Sequence, residues 1–147
     1  MEKLLRKTLA NGRFDNVTPE RSRTMSKIRG KHNKTTELCL RMGLVRAGIG
    51  GFVLRPGDLP GKPDFFFPRK RLAVFVDGCF WHGCGKCGHL PKTNSKFWKH
   101  KIQRNVERDA TTVKLLKRQN VRTIRIWEHD LAQNLGNCIE RVQRKLR

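Results

Sequence analysis

The run LAVFV over residues 72–76, closed by Asp77 and followed by GCFWHGCGKC, sets the tightest limits on the fold. A short, continuous apolar run bounded by turn signals reads as a strand buried on both faces, hence central in its sheet. Past its end come a cysteine, two aromatics, a histidine and two more cysteines, in a long Gly/Cys/Lys-rich loop over 78–96. A loop of that length in a small domain is usually functional. Just upstream, Pro60-Gly61-Lys62-Pro63-Asp64 forms a turn that delivers a second carboxylate to the head of a strand over 64–67. The turn Pro68-Arg69-Lys70 joins that strand to the central one. If the two strands are antiparallel neighbours, Asp64 and Asp77 meet at one sheet edge. Paired carboxylates suit a hard cation such as Mg²⁺, which activates water and stabilises the leaving oxygen in phosphodiester cleavage. The plainer reading makes each Asp a turn or strand-end cap.

The rest of the chain supplies the layers. Thr18-Pro19-Glu20 starts a short helix that ends at Gly30. A second helix covers 35–47 with an apolar stripe of Leu38, Met42 and Val45, and Gly48, Gly50 and Gly51 stop it. A strand at 52–55 follows. A long helix over 95–118 carries Trp98, Ile102, Val106, Val113 and Leu116, and then come a strand at 121–127 and a basic helix at 130–146. This order predicts an α/β sandwich around a mixed sheet. The 147 residues fit a single domain over 18–147 behind a basic N-terminal extension, 1–17.

Lys and Arg number 33 against 12 Asp and Glu, a net charge of +21. Folding does not need that excess, so a polyanionic partner explains it best, with contacts spread along the chain. No apolar stretch approaches the ~20 residues of a membrane span, and residues 1–14 lack the apolar core of a signal peptide. The expected compartment is therefore the reducing cytoplasm, where clustered cysteines read as metal ligands rather than disulfides.

Cys79-x4-Cys84-x2-Cys87 is the strongest local signal. Three thiolates at those gaps wrap a tetrahedral Zn²⁺ that needs one more ligand, either His89 or His129. Cys39 and Cys138 read as core residues. His82 falls inside the cluster without fitting its spacing, and a neutral imidazole can take a proton from water near pH 7. Asp109 lies on the apolar side of the long helix, where an unpaired carboxylate is costly. Its partner is either a catalytic histidine or a core arginine. Glu107 falls on the polar face. Phe80-Trp81 covers the core and the metal site, or forms an apolar wedge of the kind that DNA-kinking proteins insert between base pairs.

The strings PGKPDFFF, VFVDGCFWHGC, PKTNSKFWKHKIQRNVERD and the strand ending IWE together resemble the very-short-patch-repair (Vsr) DNA mismatch endonucleases, from about Arg21 to the last helix. The resemblance implies a restriction-endonuclease-like α/β fold, a mixed sheet flanked by helices with a structural zinc knuckle. It also implies a Mg²⁺-dependent nick in double-stranded DNA, 5′ to the thymine of T·G mismatches left by 5-methylcytosine deamination. The enzyme would act as a monomer on the nucleoid. By motif, Asp64 becomes the principal Mg²⁺ ligand, with the Val76 backbone carbonyl and Asp77 beside it. His82 becomes the general base, Asp109 its support, and Glu37 a contact to the metal's waters. Glu37 also has a plain helix-dipole explanation. Phe80, Trp81 and Trp98 match the intercalating aromatics, and Cys79, Cys84 and Cys87 the structural zinc ligands. Two departures stand out. Where the family often has a fourth cysteine after Trp-Glu, this chain has His129, which favours it over His89. Where the best-known member has Thr-His at the end of the central strand, this chain has Val76-Asp77. Two rivals remain, a related nuclease without mismatch preference and a non-catalytic zinc-stapled DNA-binding protein. The acidic set Asp64, Asp77 and Asp109 argues against the second, since it would repel phosphates.

Overall fold

In the computed structural model, residues 18–20, 23 and 34–147 are described. Pro19, Glu20 and Arg23 are helical; the rest of the expected helix to Gly30 and the 1–17 extension lie outside the described residues. The elements that follow are α1 (Lys34–Arg46), β1 (Val53–Leu54), β2 (Phe65–Phe67), β3 (Leu72–Asp77), α2 (Ser95–Arg118), β4 (Arg122–Trp127), α3 (Glu128–Gln133) and α4 (Leu135–Leu146).

Four strands form one mixed sheet in the order β1-β2-β3-β4. The β1–β2 and β2–β3 pairs are antiparallel, whereas β3 and β4 run parallel with Val76 opposite Ile126 and Asp77 opposite Trp127. A parallel pair needs a long crossover, here the 78–94 loop and α2. Alternation along β3 then sends Leu72 and Val74 into a core with Leu40, Leu44, Phe65 and Ile126 under α1 and α4. Ala73 and Phe75 go the other way, into a core with Leu116 and Val121 under α2. Both faces of β3 are thus covered, which is why its run is continuous rather than alternating.

α1 turns a different face inward from the one its apolar residues suggest, whereas α2 keeps Trp98, Ile102, Asp109 and Leu116 inward as expected and leaves out only Val106. On α1, Leu38, Met42 and Val45 are 51%, 43% and 56% exposed, while Leu40 and Leu44 are buried. Gly43 lies on the side that meets α4: a Cβ there would stand 2.7 Å from the tip of the Ile139 side chain and 3.3 Å from Leu135, so the two helices pack closely at this point. On α2, Val106 is exposed. The inner face runs Trp98, Ile102, Asn105, Asp109, Thr112, Leu116, a four-three spacing interrupted by polar residues that have partners. The expected single helix over 130–146 is two. Asn134 breaks it in an extended conformation and caps α4 by accepting the Asn137 N–H at 2.9 Å. β1 is shorter than the expected 52–55, since Arg55 takes a left-handed conformation. Among the described residues no helix is long and apolar enough to cross a membrane.

Candidate active site and metal centre

The C-terminal end of β3 gathers the chemistry. Gly61 has a positive φ and sits so close to Thr112 of α2 that a side chain would collide, which pins the Pro60–Asp64 turn against that helix. The turn brings Asp64 alongside β3, where its carboxylate accepts the Val76 N–H at 2.7 Å. The Asp64 carbonyl accepts the Arg55 N–H at 3.1 Å. Glu37 reaches in from α1 and is ion-paired with Arg55. Burial and the nearby Glu37 carboxylate push the Asp64 carboxyl up to about 7, against the opposing Val76 hydrogen bond. Two carboxylates that disfavour each other's charge make an oxygen donor set suited to a hard divalent cation.

The antiparallel register sets Phe65 opposite Val74 and so brings Asp64 to the far end of β3. The two carboxylates nevertheless engage different partners. Asp77 is 2% exposed and takes the Arg125 fork on both oxygens, Nε at 2.5 Å and Nη2 at 2.6 Å. Both oxygens of Asp77, expected beside the metal, are thus engaged by a guanidinium. The Val76 N–H is the group that holds the Asp64 carboxylate.

The loop after β3 turns back at once, with the His82 N–H donating to the Gly78 carbonyl at 3.2 Å. Asn105 of α2 donates to the Trp81 carbonyl at 2.9 Å and docks the loop on the helix. One turn along, Asp109 meets His82 Nδ1 at 2.5 Å and Arg125 Nη2 at 3.1 Å. The two partners weighed for Asp109, a histidine and an arginine, are both present. A proton on Nδ1 shared with Asp109 leaves Nε2 as the nitrogen with a free lone pair. Burial works against the Asp109 charge, but His82 and Arg125 outweigh it and hold the carboxyl below its ordinary value. Arg125 was not foreseen. Its signal was a charged residue between Ile124 and Ile126 in an otherwise half-buried strand.

Cys79, Cys84, Cys87 and His129 converge, their ligand atoms all within 4.8 Å of one another. The three sulfurs lie 3.3, 3.5 and 3.5 Å from His129 Nδ1, and Cys84 and Cys87 are 3.6 Å apart. Tetrahedral zinc bonds of 2.0–2.3 Å imply ligand–ligand edges of roughly 3.5–3.8 Å, so this group could hold such an ion. The Cys87 and Lys86 amides draw Cys84 down to about 7, towards thiolate. The neighbouring Cys79 sulfur, with burial and Cys84, pushes Cys87 up to about 12, a crowding that a dication relieves. His129 Nε2 lies 3.1 Å from Asp130 but off hydrogen-bond direction, and Asp130 in turn pairs with Arg141 at 2.9 Å. A carboxylate behind a ligating imidazole is the usual outer support of such sites. His89 is elsewhere, lining a cavity of about 280 Å³ with Phe80, Leu90, Lys99 and Gln103.

Phe80, Trp81 and Trp98 pack edge to face with centroids 5.0–6.0 Å apart. Trp98 is buried beside Phe97, and Phe80 and Trp81 are half-exposed above them. The Lys101 ammonium lies 5.4 Å from the Trp81 ring centre.

A family model described as DNA mismatch endonuclease Vsr matches residues 14–88. Over 118 residues the chain is 42% identical to the type II nicking enzyme V.NaeI of Lentzea aerocolonigenes, covering 78% of this chain and 70% of that protein. It is 40% identical over 131 residues to the type II nicking enzyme V.XorIIP of Xanthomonas oryzae pv. oryzae, covering 88% and 94%. Identity to the DNA mismatch endonuclease Vsr of Escherichia coli is 34% over 104 residues, covering 69% and 66%.

Proposed function

The chain belongs to the Vsr family of DNA mismatch endonucleases, and from that premise we propose that it nicks duplex DNA 5′ to the thymine of a T·G mismatch. It is a DNA endonuclease, a phosphodiester hydrolase, of the fold expected for that family. The observation that carries the hydrolytic part of this reading is the pairing of His82 with Asp109 at 2.5 Å, at the same end of β3 as the Asp64 carboxylate. A base with an oriented ring and an oxygen donor set are the two parts that hydrolysis of a phosphodiester needs.

Asp64 and Glu37 would hold Mg²⁺, which when bound neutralises phosphate charge and eases ionisation of water. His82 Nε2 takes the proton of the attacking water. Asp109 keeps the ring in the tautomer that leaves Nε2 free to do so. Zn²⁺ would sit in the Cys79–Cys84–Cys87–His129 group with all four positions filled by protein, a structural role that leaves no place for water. Because His82 lies between two of those ligands, the zinc site also fixes the base.

Selectivity for T·G rests on deformation. Phe80 and Trp81 enter the stack, with Trp98 as their buried backing, and unstacking costs on the order of a few kcal/mol per step. A wobble pair is already displaced, so it lowers that cost relative to a matched pair. Dispersed Lys and Arg hold the phosphates, and the substrate places the enzyme on chromosomal DNA in the cytoplasm. The test is a nicking assay on end-labelled T·G and T·A duplexes with Mg²⁺. A single nick confined to the T·G strand is expected. Equal nicking of both duplexes would favour a nuclease without mismatch preference, and no cleavage of either would leave a DNA-binding protein.

A further inference from the structure

His82 Nδ1 stands within reach of two carboxylates, Asp109 at 2.5 Å and Asp77 at 3.7 Å. Both would accept its proton, yet they lie on different elements and would aim the ring differently. Arg125 separates their roles. Its fork closes on both oxygens of Asp77, while the same Nη2 also binds Asp109 at 3.1 Å. The guanidinium rests 5.1 Å over the Phe75 ring, which with the two carboxylates fixes the side chain, and the Arg125 backbone carbonyl accepts from Arg141 at 3.1 Å. Its Nη1 is buried with no hydrogen-bond partner among the described residues, which rules out a group reaching out to bulk water.

We propose that Arg125 is a positioning residue that, by occupying Asp77, leaves Asp109 as the sole carboxylate orienting His82. Asp77 is then the counter-ion of Arg125 and not a ligand of Mg²⁺. The inference rests on the assignment of His82 as the base. An arginine fork suits this task because it satisfies a carboxylate at two points in one plane, which lysine cannot do. Without it, Asp77 is freed beside His82 and competes for the ring.

The test compares Arg125→Met with the double variant Arg125→Met/Asp77→Asn and with Asp77→Asn alone. Each is assayed by single-turnover nicking at saturating DNA, at a temperature where it is folded. Arg125→Met should be slower by about 100-fold, the scale of a small misplacement of a reacting group, with DNA affinity unchanged. Adding Asp77→Asn should restore roughly tenfold or more of the rate, because the competing charge is gone. Asp77→Asn alone should leave the Mg²⁺ concentration for half-maximal rate where it is. Should Arg125→Met not fold, Arg125→Lys replaces it, expected to be slow and rescued in the same way. The proposal is overturned if the double variant is no faster than the single, if DNA affinity falls with the rate, or if Asp77→Asn raises the Mg²⁺ requirement. The His82 Nδ1 proton signal in NMR separates the two layers of inference. If wild type nicks no duplex, the nuclease assignment fails. A signal lost in Arg125→Met and regained in the double variant then upholds the positioning role, and a signal unmoved in all of them overturns it.

Discussion

Two polar clusters lie at the same end of β3 and are built in opposite ways. The thiol cluster draws three of its four donors from nine consecutive residues, Cys79 to Cys87, and closes with His129 just past β4. Its donors surround one point, and a closed tetrahedral site contributes folding free energy while leaving no open position. The carboxylate cluster takes Glu37 from α1, Arg55 from the end of β1 and Asp64 from the turn before β2. It holds a carboxyl pushed up to about 7 by burial and by the Glu37 carboxylate. Closure serves stability, and an open, electrostatically unsettled site serves chemistry. Between them stands His82, in the zinc loop by sequence and against Asp109 by contact.

That contrast breaks first at the open side. His82→Ala should slow nicking by about 100- to 10,000-fold, the range for general-base removal, and Asp64→Ala should be at least as severe. Both should keep zinc content and bind duplex DNA with near wild-type affinity. A His82→Ala protein that nicks normally would mean that the base lies elsewhere.

On the closed side, His129→Ala should reduce bound zinc below one ion per chain and lower Tm by roughly 10 °C, equivalent to a few kcal/mol for a domain of this size. Nicking should fall with it, since the loop that carries His82 loosens. His89→Ala should change neither metal content nor Tm. Metal loss in His89→Ala with retention in His129→Ala would overturn the ligand assignment.

A pH series sharpens the difference. Asp64 holds its proton more tightly folded than unfolded, so between about 4 and about 7 the folded state binds the extra proton and stability declines as pH rises. In Mg²⁺-free buffer, wild type should lose stability across that window relative to Asp64→Asn, and adding Mg²⁺ should recover part of it. Parallel melting curves for the two proteins would remove Asp64 as the cause.

The smallest effect is expected at the aromatics. Trp81→Ala should nick T·G duplex about tenfold more slowly, equivalent to 1.4 kcal/mol in the barrier, and bend DNA less in a gel-shift or energy-transfer assay. Unchanged bending would assign Phe80 and Trp81 to covering the core.

Local chemistry fixed a good deal from sequence alone. The central strand, the ends of α2 at Ser95 and Arg118, and the thiol spacing each depend on residues close in the chain, where apolar runs, turn residues and ligand gaps act directly. The packing face of α1 was not legible in the same way. Leu38, Met42 and Val45 form a proper helical stripe, yet it is Leu40 and Leu44 that face the sheet and α4, with Gly43 against the Leu135 and Ile139 side chains. Along α2 the inner face accepts Asn105 and Asp109 because a loop carbonyl and His82 wait for them, partners 24 and 27 residues away. Arg125 looked like one more basic residue until the parallel pairing of β3 and β4 brought its fork onto Asp77. Periodicity reports which residues would gain by leaving water. Which of them do so, and which polar groups can follow at no loss, is decided by the hydrogen-bond partners that distant segments bring.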